Sequence, residues 1–183
     1  MAAVAHRPAD FPAPDIAAVL LGDRAAARAL VIEMSPRVRN LVRYLVRDDV
    51  DVDDIAQEAM VAVLKSLGEY REEGAFFAWV DRITARTTFK ALQRRKRRRE
   101  EPLELERAEP AHDAFGAFHS RRRLVALLDR LAPPQRHVVV LHYLLGMTVL
   151  EIGDELEIPE GTVRSRLRLA MIALRRNIES KNR

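Results

Sequence analysis

Three side chains near the C-terminus have the types and spacing to read duplex DNA. Arg164, Ser165 and Arg168 stand at i, i+1 and i+4, so on a helix they lie side by side. A guanidinium donates in bidentate fashion to guanine, and a hydroxyl or an early helix amide can hold phosphate. A different chemistry is assembled far upstream. Phe76, Phe77 and Trp79 open a segment in which Arg82, Arg86, Lys90 and Arg94 recur every fourth residue, ending in the unbroken basic run 94–99. Aromatic faces stack on bases that have left the duplex, at roughly 1–3 kcal/mol per base. One basic stripe beside them can track a phosphate backbone. Core packing competes for the aromatics and is expected to win for at least one. Trp79 shares the face of Ile83, so a partly structural role is expected for it.

These groups need helices to hold them. Thr148-Val149-Leu150-Glu151 has the form of a capping box, in which hydroxyl and carboxylate satisfy each other's backbone amides, the cap being worth about 1 kcal/mol. Ile152 and Leu156 then face inward, and Glu157-Ile158-Pro159-Glu160 makes a turn in which proline is tolerated because a helix's first turn needs no amide there. Val163, Leu167, Ala170 and Leu174 form the inner stripe of a last helix, with the arginines on its other side. The whole reads as a helix-turn-helix. Before it, Leu124, Leu127, Leu128 and Leu131 form one helix, and Val138 to Leu145 another after Pro133-Pro134.

The first half is also helical. Leu30, Val31, Met34, Val38, Leu41, Val42 and Leu45 recur at three- and four-residue steps, and Pro36 within them predicts a kink or a new start at Ser35. Asp51 is a plausible N-cap for a helix carrying Ile55, Ala59, Val63 and Leu67, which Gly68 is expected to stop. Nothing reads convincingly as strand. The expected fold class is all-α: two small helical domains, 15–99 and 121–183, joined by a flexible acidic linker, 100–120, and preceded by a disordered lead-in, 1–14.

Bulk properties agree with this reading. The 183 residues carry a net charge of +4, with a pI near 9.8. Bases cluster at 94–99 and from Arg164 onward, acids at 48–54 and 100–113. Clustered positive charge is the footprint of a nucleic-acid binder, and equally of a solvated tail. No cysteine is present, which excludes disulfides and thiolate chemistry. His137 and His142 are the closest histidine pair, on different helix faces, so no metal site is expected. No apolar run is long enough to span a membrane and no signal pattern opens the chain, so a cytoplasmic location without membrane insertion is expected.

Leu131-Ala132-Pro133-Pro134-Gln135-Arg136, then Tyr143-Leu144-Leu145-Gly146-Met147-Thr148 and Ile158-Pro159-Glu160-Gly161-Thr162-Val163-Arg164-Ser165-Arg166-Leu167, resemble the promoter-reading domain of bacterial sigma factors. Asp53-Asp54-Ile55-Ala56-Gln57-Glu58 is similar to that family's polymerase-docking signature, and the segment from Tyr70 to Ile83 to its −10 recognition segment. The combination looks like the compact extracytoplasmic function group. The resemblance implies that Arg164, Ser165 and Arg168 contact the −35 element, with Thr162 on phosphate. It implies that Phe76, Phe77, Trp79, Arg82, Arg86 and Lys90 serve −10 recognition and melting. It further implies that Asp54, Gln57 and Glu58 dock on core RNA polymerase, whose β and β′ subunits would be partners beside promoter DNA and an anti-sigma factor. No cofactor, metal or catalytic residue is implied, and phosphodiester chemistry would belong to the polymerase, so the chain is expected not to be an enzyme.

By the residues alone, Gln57, Glu58 and Val61 fit a solvated helix face as well as a docking face. Glu157 stands where the family commonly has glycine; left-handed backbone there would cost roughly 1–2 kcal/mol. The acidic linker, with Glu100, Glu101, Glu104 and Glu106, could cover the basic stripe in the free protein. Two other readings use the same residues. A repressor or response-regulator output domain would need only the helix-turn-helix. A metal-dependent nuclease would use Asp48, Asp49, Asp51, Asp53 and Asp54, although those carboxylates are explained more simply as helix N-terminal charges.

Overall fold

The computed structural model describes residues 15–47, 51–71, 75–99 and 118–181, which form helices and turns without any strand. The lead-in 1–14 and residues 100–117 of the linker expected over 100–120 lie outside the described residues; residues 118–120, expected in that linker, instead open a helix. Among the described residues eight α-helices follow in order: α1 (Ile16–Leu20), α2 (Arg24–Leu45), α3 (Val52–Lys65), α4 (Phe76–Arg99), α5 (Phe118–Leu128), α6 (Pro133–Val139), α7 (Val149–Leu156) and α8 (Glu160–Lys181). A 3₁₀ turn, Leu67–Glu69, follows α3, and a π-helical turn, Val140–Leu144, follows α6.

In the first half, α2, α3 and α4 pack on one another along the stripes that periodicity predicts. Leu30, Met34 and Val38 meet Ala59, Val63, Phe76 and Val80, and Val42 meets Val52, Ile55 and Ala91. Asp23 caps α2 by accepting from the amides of Ala25 and Ala26, at 2.7 and 3.1 Å. Two buried threonines on α4 satisfy their hydroxyls on the preceding turn: Thr84 donates to the Val80 carbonyl and Thr88 to that of Thr84, both at 2.8 Å.

Three local expectations need correction. α2 does not restart at Ser35 but runs through Pro36. That proline is exposed, so the carbonyl left without an amide can be served by water. Asp51 holds the N-cap position of α3 without capping it by its side chain; the carboxylate instead pairs with Arg95 of α4. α3 ends at Lys65, and Gly68 lies within the following 3₁₀ turn rather than stopping the helix.

The second half builds the helix-turn-helix. Thr148 and Glu151 form the predicted capping box: the Glu151 amide donates to the Thr148 hydroxyl at 3.2 Å, and the Thr148 amide to the Glu151 carboxylate at 2.8 Å. At the far end of α7, Glu157 adopts φ 53°, ψ 46°. The Ile158 amide donates to the Gly153 carbonyl at 2.9 Å and the Glu157 amide to that of Asp154 at 3.4 Å, a Schellman closure around a left-handed residue. Gly153 allows the close approach, because a Cβ there would stand 3.0 Å from the Ile158 carbonyl oxygen. Glu157→Gly should therefore stabilise the chain by about 1 kcal/mol, read as a higher midpoint in urea with an unchanged slope.

The two halves share a core. Leu41 and Leu45 of α2 and Ala85 and Phe89 of α4 cluster with Leu128, Leu131, Val138, Leu141, Ile152 and Val163. His137 sits in this seam, its ring edge-on to Phe89 at 5.0 Å. Burial drives its pKa down from 6.5 to about 4, helped by the Arg136 and Arg166 charges and opposed by a backbone hydrogen bond at Leu45. The neutral imidazole is the form that fits, so its contribution is complete above pH 6.5 and is lost as pH falls towards 4. Between pH 7 and pH 5 the seam should lose about 2 kcal/mol. Subtracting the pH dependence of His137→Gln from that of the parent chain isolates this part.

Candidate nucleic-acid interface

The start of α4 carries an aromatic cluster. Phe76 is 9% exposed and belongs to the core, whereas Phe77 and Trp79 are half-buried. Tyr70 completes the group, with its ring 5.3 Å from both Phe76 and Trp79; Phe76 lies 5.4 Å from Phe77. Core packing thus claims Phe76, while Phe77 and Trp79 keep partly open surfaces. Sequence reading placed Tyr70 in the matching segment without assigning it a role. Tyr70 lies outside the helical pattern that carries Phe76 and Trp79, so periodicity gave no sign of this contact.

An ion pair braces this end. Arg37 of α2 grips Asp81 of α4 with two hydrogen bonds, at 2.7 and 2.6 Å, and its guanidinium lies 5.2 Å from the Phe77 ring centre. Burial raises the pKa of Asp81 against the opposing pull of Arg37. The bidentate fork ties the second turn of α4 to α2, directly after the aromatic side chains.

Along the same helix Arg82, Arg86, Lys90 and Arg94 form one exposed face, as their spacing predicts. In this state the stripe is engaged: Arg82 donates to Glu151 at 2.9 Å and Arg86 to Glu155 at 3.3 Å, both on α7, and Arg94 pairs with Glu58 of α3. Asp54, Gln57 and Glu58 are exposed on α3. With Val61, Lys65 and Arg94 they line an open groove of about 860 Å³ between α3 and α4.

On α8, Arg164 and Arg168 are exposed, and Arg164 pairs with Glu160 one turn back at 2.7 Å. Ser165 donates its hydroxyl hydrogen to the Thr162 carbonyl at 2.9 Å, so towards a ligand it presents lone pairs. Thr162 is half-buried. Its amide is bound to the Pro159 carbonyl at 2.9 Å. The exposed face of α8 at this turn therefore presents chiefly the two guanidiniums.

Of the acids at the start of α3, Asp51 pairs with Arg95 and Asp53 with Arg39 at 2.6 Å. Asp48 and Asp49 lie outside the described residues, and among those described no group of three or more His, Asp or Glu side chains could hold a metal ion. Nor is any described helix long and apolar enough to cross a membrane.

Comparison with known proteins bears on both halves. Residues 30–98 match the family model described as Sigma-70 region 2, and residues 121–174 that described as Sigma-70, region 4. The chain is 35% identical over 170 residues to the ECF RNA polymerase sigma factor SigE of Mycolicibacterium smegmatis, an alignment covering 87% of this chain but 65% of that protein. It is 30% identical over 161 residues to the ECF RNA polymerase sigma factor SigM of Mycobacterium tuberculosis, covering 88% of this chain and 81% of the relative. Two solved structures share the fold. CnrH in complex with the cytosolic domain of CnrY superposes with a TM-score of 0.53 at 22% identity, over 90% of this chain and 95% of that one. The sigma factor RpoE of Bartonella quintana, in complex with the anti-sigma factor NepR, gives 0.61 at 16% identity, over 84% and 96%.

Proposed function

Because the chain belongs to the extracytoplasmic function sigma factors of the sigma-70 family, we propose that it directs core RNA polymerase to specific promoters and promotes their opening. The first domain docks through Asp54, Gln57 and Glu58 and takes −10 bases at Phe77 and Trp79, beside the Arg82, Arg86 and Lys90 stripe. The second places Arg164 and Arg168 on the −35 duplex, with Ser165 and Thr162 towards phosphate. Bases captured only once unstacked favour the opened promoter by differential binding, so the chain needs no catalytic residue of its own. Its place of work is the cytoplasm, and an anti-sigma factor controls it; one structural neighbour, a sigma factor, was solved with its anti-sigma factor.

One observation carries this reading. α4 sets half-buried aromatic rings at the head of an exposed basic stripe, and α8 sets two exposed arginines on a separate helix-turn-helix. A duplex-binding regulator has a use for the second feature and none for the first. Docking is tested with core polymerase and the full chain in a fluorescence anisotropy titration. Asp54→Ala combined with Gln57→Ala should weaken binding by about tenfold, as expected of truncations inside an interface. Unchanged affinity would remove α3 from the docking surface.

A further inference from the structure

The first turn of α8 carries an acid on the face that bears the reading arginines. Glu160 stands one turn before Arg164, whose guanidinium donates to its carboxylate at 2.7 Å. That carboxylate does not cap its helix. The early amides of α8, those of Thr162 and Val163, are bound to the Pro159 carbonyl at 2.9 and 3.2 Å. Glu151 of α7 differs, since its carboxylate reaches back to the Thr148 amide at 2.8 Å. Glu160 is instead turned along the face towards Arg164. The face therefore offers DNA two groups that only donate, Arg164 and Arg168, and one that only accepts.

A carboxylate on a DNA-facing surface is repelled by the phosphates and weakens duplex binding unless a base donates to it. The pair with Arg164 is weak, its side chains 68% and 43% exposed, so the guanidinium can turn to guanine O6 and N7. That leaves the carboxylate facing the groove without a donor. In the major groove the donors are the amino groups of cytosine and adenine. Cytosine presents N4 with no acceptor on the same edge, whereas adenine sets the N7 lone pair beside N6 and repels a carboxylate. Spacing fixes the place. Four residues cover about 6 Å of helix, against about 3.4 Å per base step. Tips that already touch each other thus reach neighbouring base pairs.

We propose that Glu160 is a specificity-determining residue of the −35 contact, its carboxylate accepting from the N4 amino group of a cytosine one base pair from the guanine read by Arg164. This rests on the reading of α8 given under Proposed function. The acid lowers general affinity and raises selectivity. It opposes every phosphate backbone and is compensated only where that cytosine is present.

Core polymerase carrying the full chain is presented with promoter duplexes randomised across the −35 element, and the bound sequences are counted. Parent, Arg164→Ala, Glu160→Gln and Glu160→Ala are run side by side at fixed salt. The parent should select a cytosine next to a guanine, and Arg164→Ala should lose selection of that guanine. Glu160→Gln should cut the cytosine preference about tenfold, the size of one good base contact. It should also turn the preference towards adenine, because an amide can donate to N7 and accept from N6 together. Glu160→Ala should lose selection at that one position and bind a scrambled duplex more tightly, as removal of a repelled charge requires. In both Glu160 variants the guanine should remain selected, which separates base reading from mere positioning of Arg164. No cytosine beside the guanine in the parent, a cytosine preference untouched by either Glu160 variant, or a loss confined to the guanine would overturn the proposal. If Arg164→Ala and the Glu160 variants alike leave −35 selection intact, the assignment of α8 to that element fails, and this inference with it.

Discussion

Arg136→Ala should be the most damaging single substitution in the second domain, costing about 3–5 kcal/mol of stability. The guanidinium is buried, and its three hydrogen bonds reach two backbone carbonyls of another domain and one carboxylate. Removing it leaves the Arg43 and Tyr44 carbonyls without that donor and Asp129 with less positive charge than its partly buried site requires. The native arrangement is not strongly stabilising in itself, because desolvating the guanidinium cancels much of the Coulombic gain. Breaking it by removing one partner is what costs. A thermal melt followed by circular dichroism should show the midpoint falling by about 10 °C for a chain of this size. Arg136→Lys should recover little, since an ammonium cannot present the planar fork that serves three acceptors at once.

Arg164→Ala with Arg168→Ala should abolish discrimination at the −35 element. Both side chains are exposed on α8, and the Glu160 partner of Arg164 is a surface ion pair that DNA can displace at little cost. Each bidentate arginine–guanine contact discriminates by about 1–3 kcal/mol, and well-separated contacts add. The double variant should therefore lose a factor of about 30 or more in preference for its −35 sequence, with its melting temperature unchanged. Competition between specific and scrambled duplexes measures this at fixed salt. Parallel loss on both duplexes would mean that the two arginines bind phosphate instead of bases.

Local physics made much of this fold readable. Apolar periodicity marks the buried stripes of α2, α3 and α8, and Thr148 with Glu151 marks the start of α7 through a cap that involves only neighbouring residues. Even the left-handed turn at Glu157 was legible as a conditional strain, because Glu157 stands where the family commonly has glycine. What escaped lies in pairings distant along the chain. Asp51 looks like a cap until Arg95 arrives from α4. Asp81 looks like a surface acid until Arg37 folds over it. Arg136 sits one turn before Val139 and Val140, on an apolar face, and that misplaced charge was the available sign of a buried clasp. The seating of α7 on α4 had no sequence signal, since matching two charge ladders requires knowing that the domains meet.

The central claim, that this chain is a promoter-selecting subunit, is tested most directly by transcription with bacterial core polymerase on a library of randomised promoters, with and without the chain. Initiation should depend on the chain and select a paired −35 and −10 sequence. Arg164→Ala should blur the first element, Trp79→Ala the second, and Gln57→Ala should reduce all transcripts alike. Specific duplex binding by the chain, with neither polymerase association nor chain-dependent transcripts, would contradict the account and leave a helix-turn-helix regulator in its place.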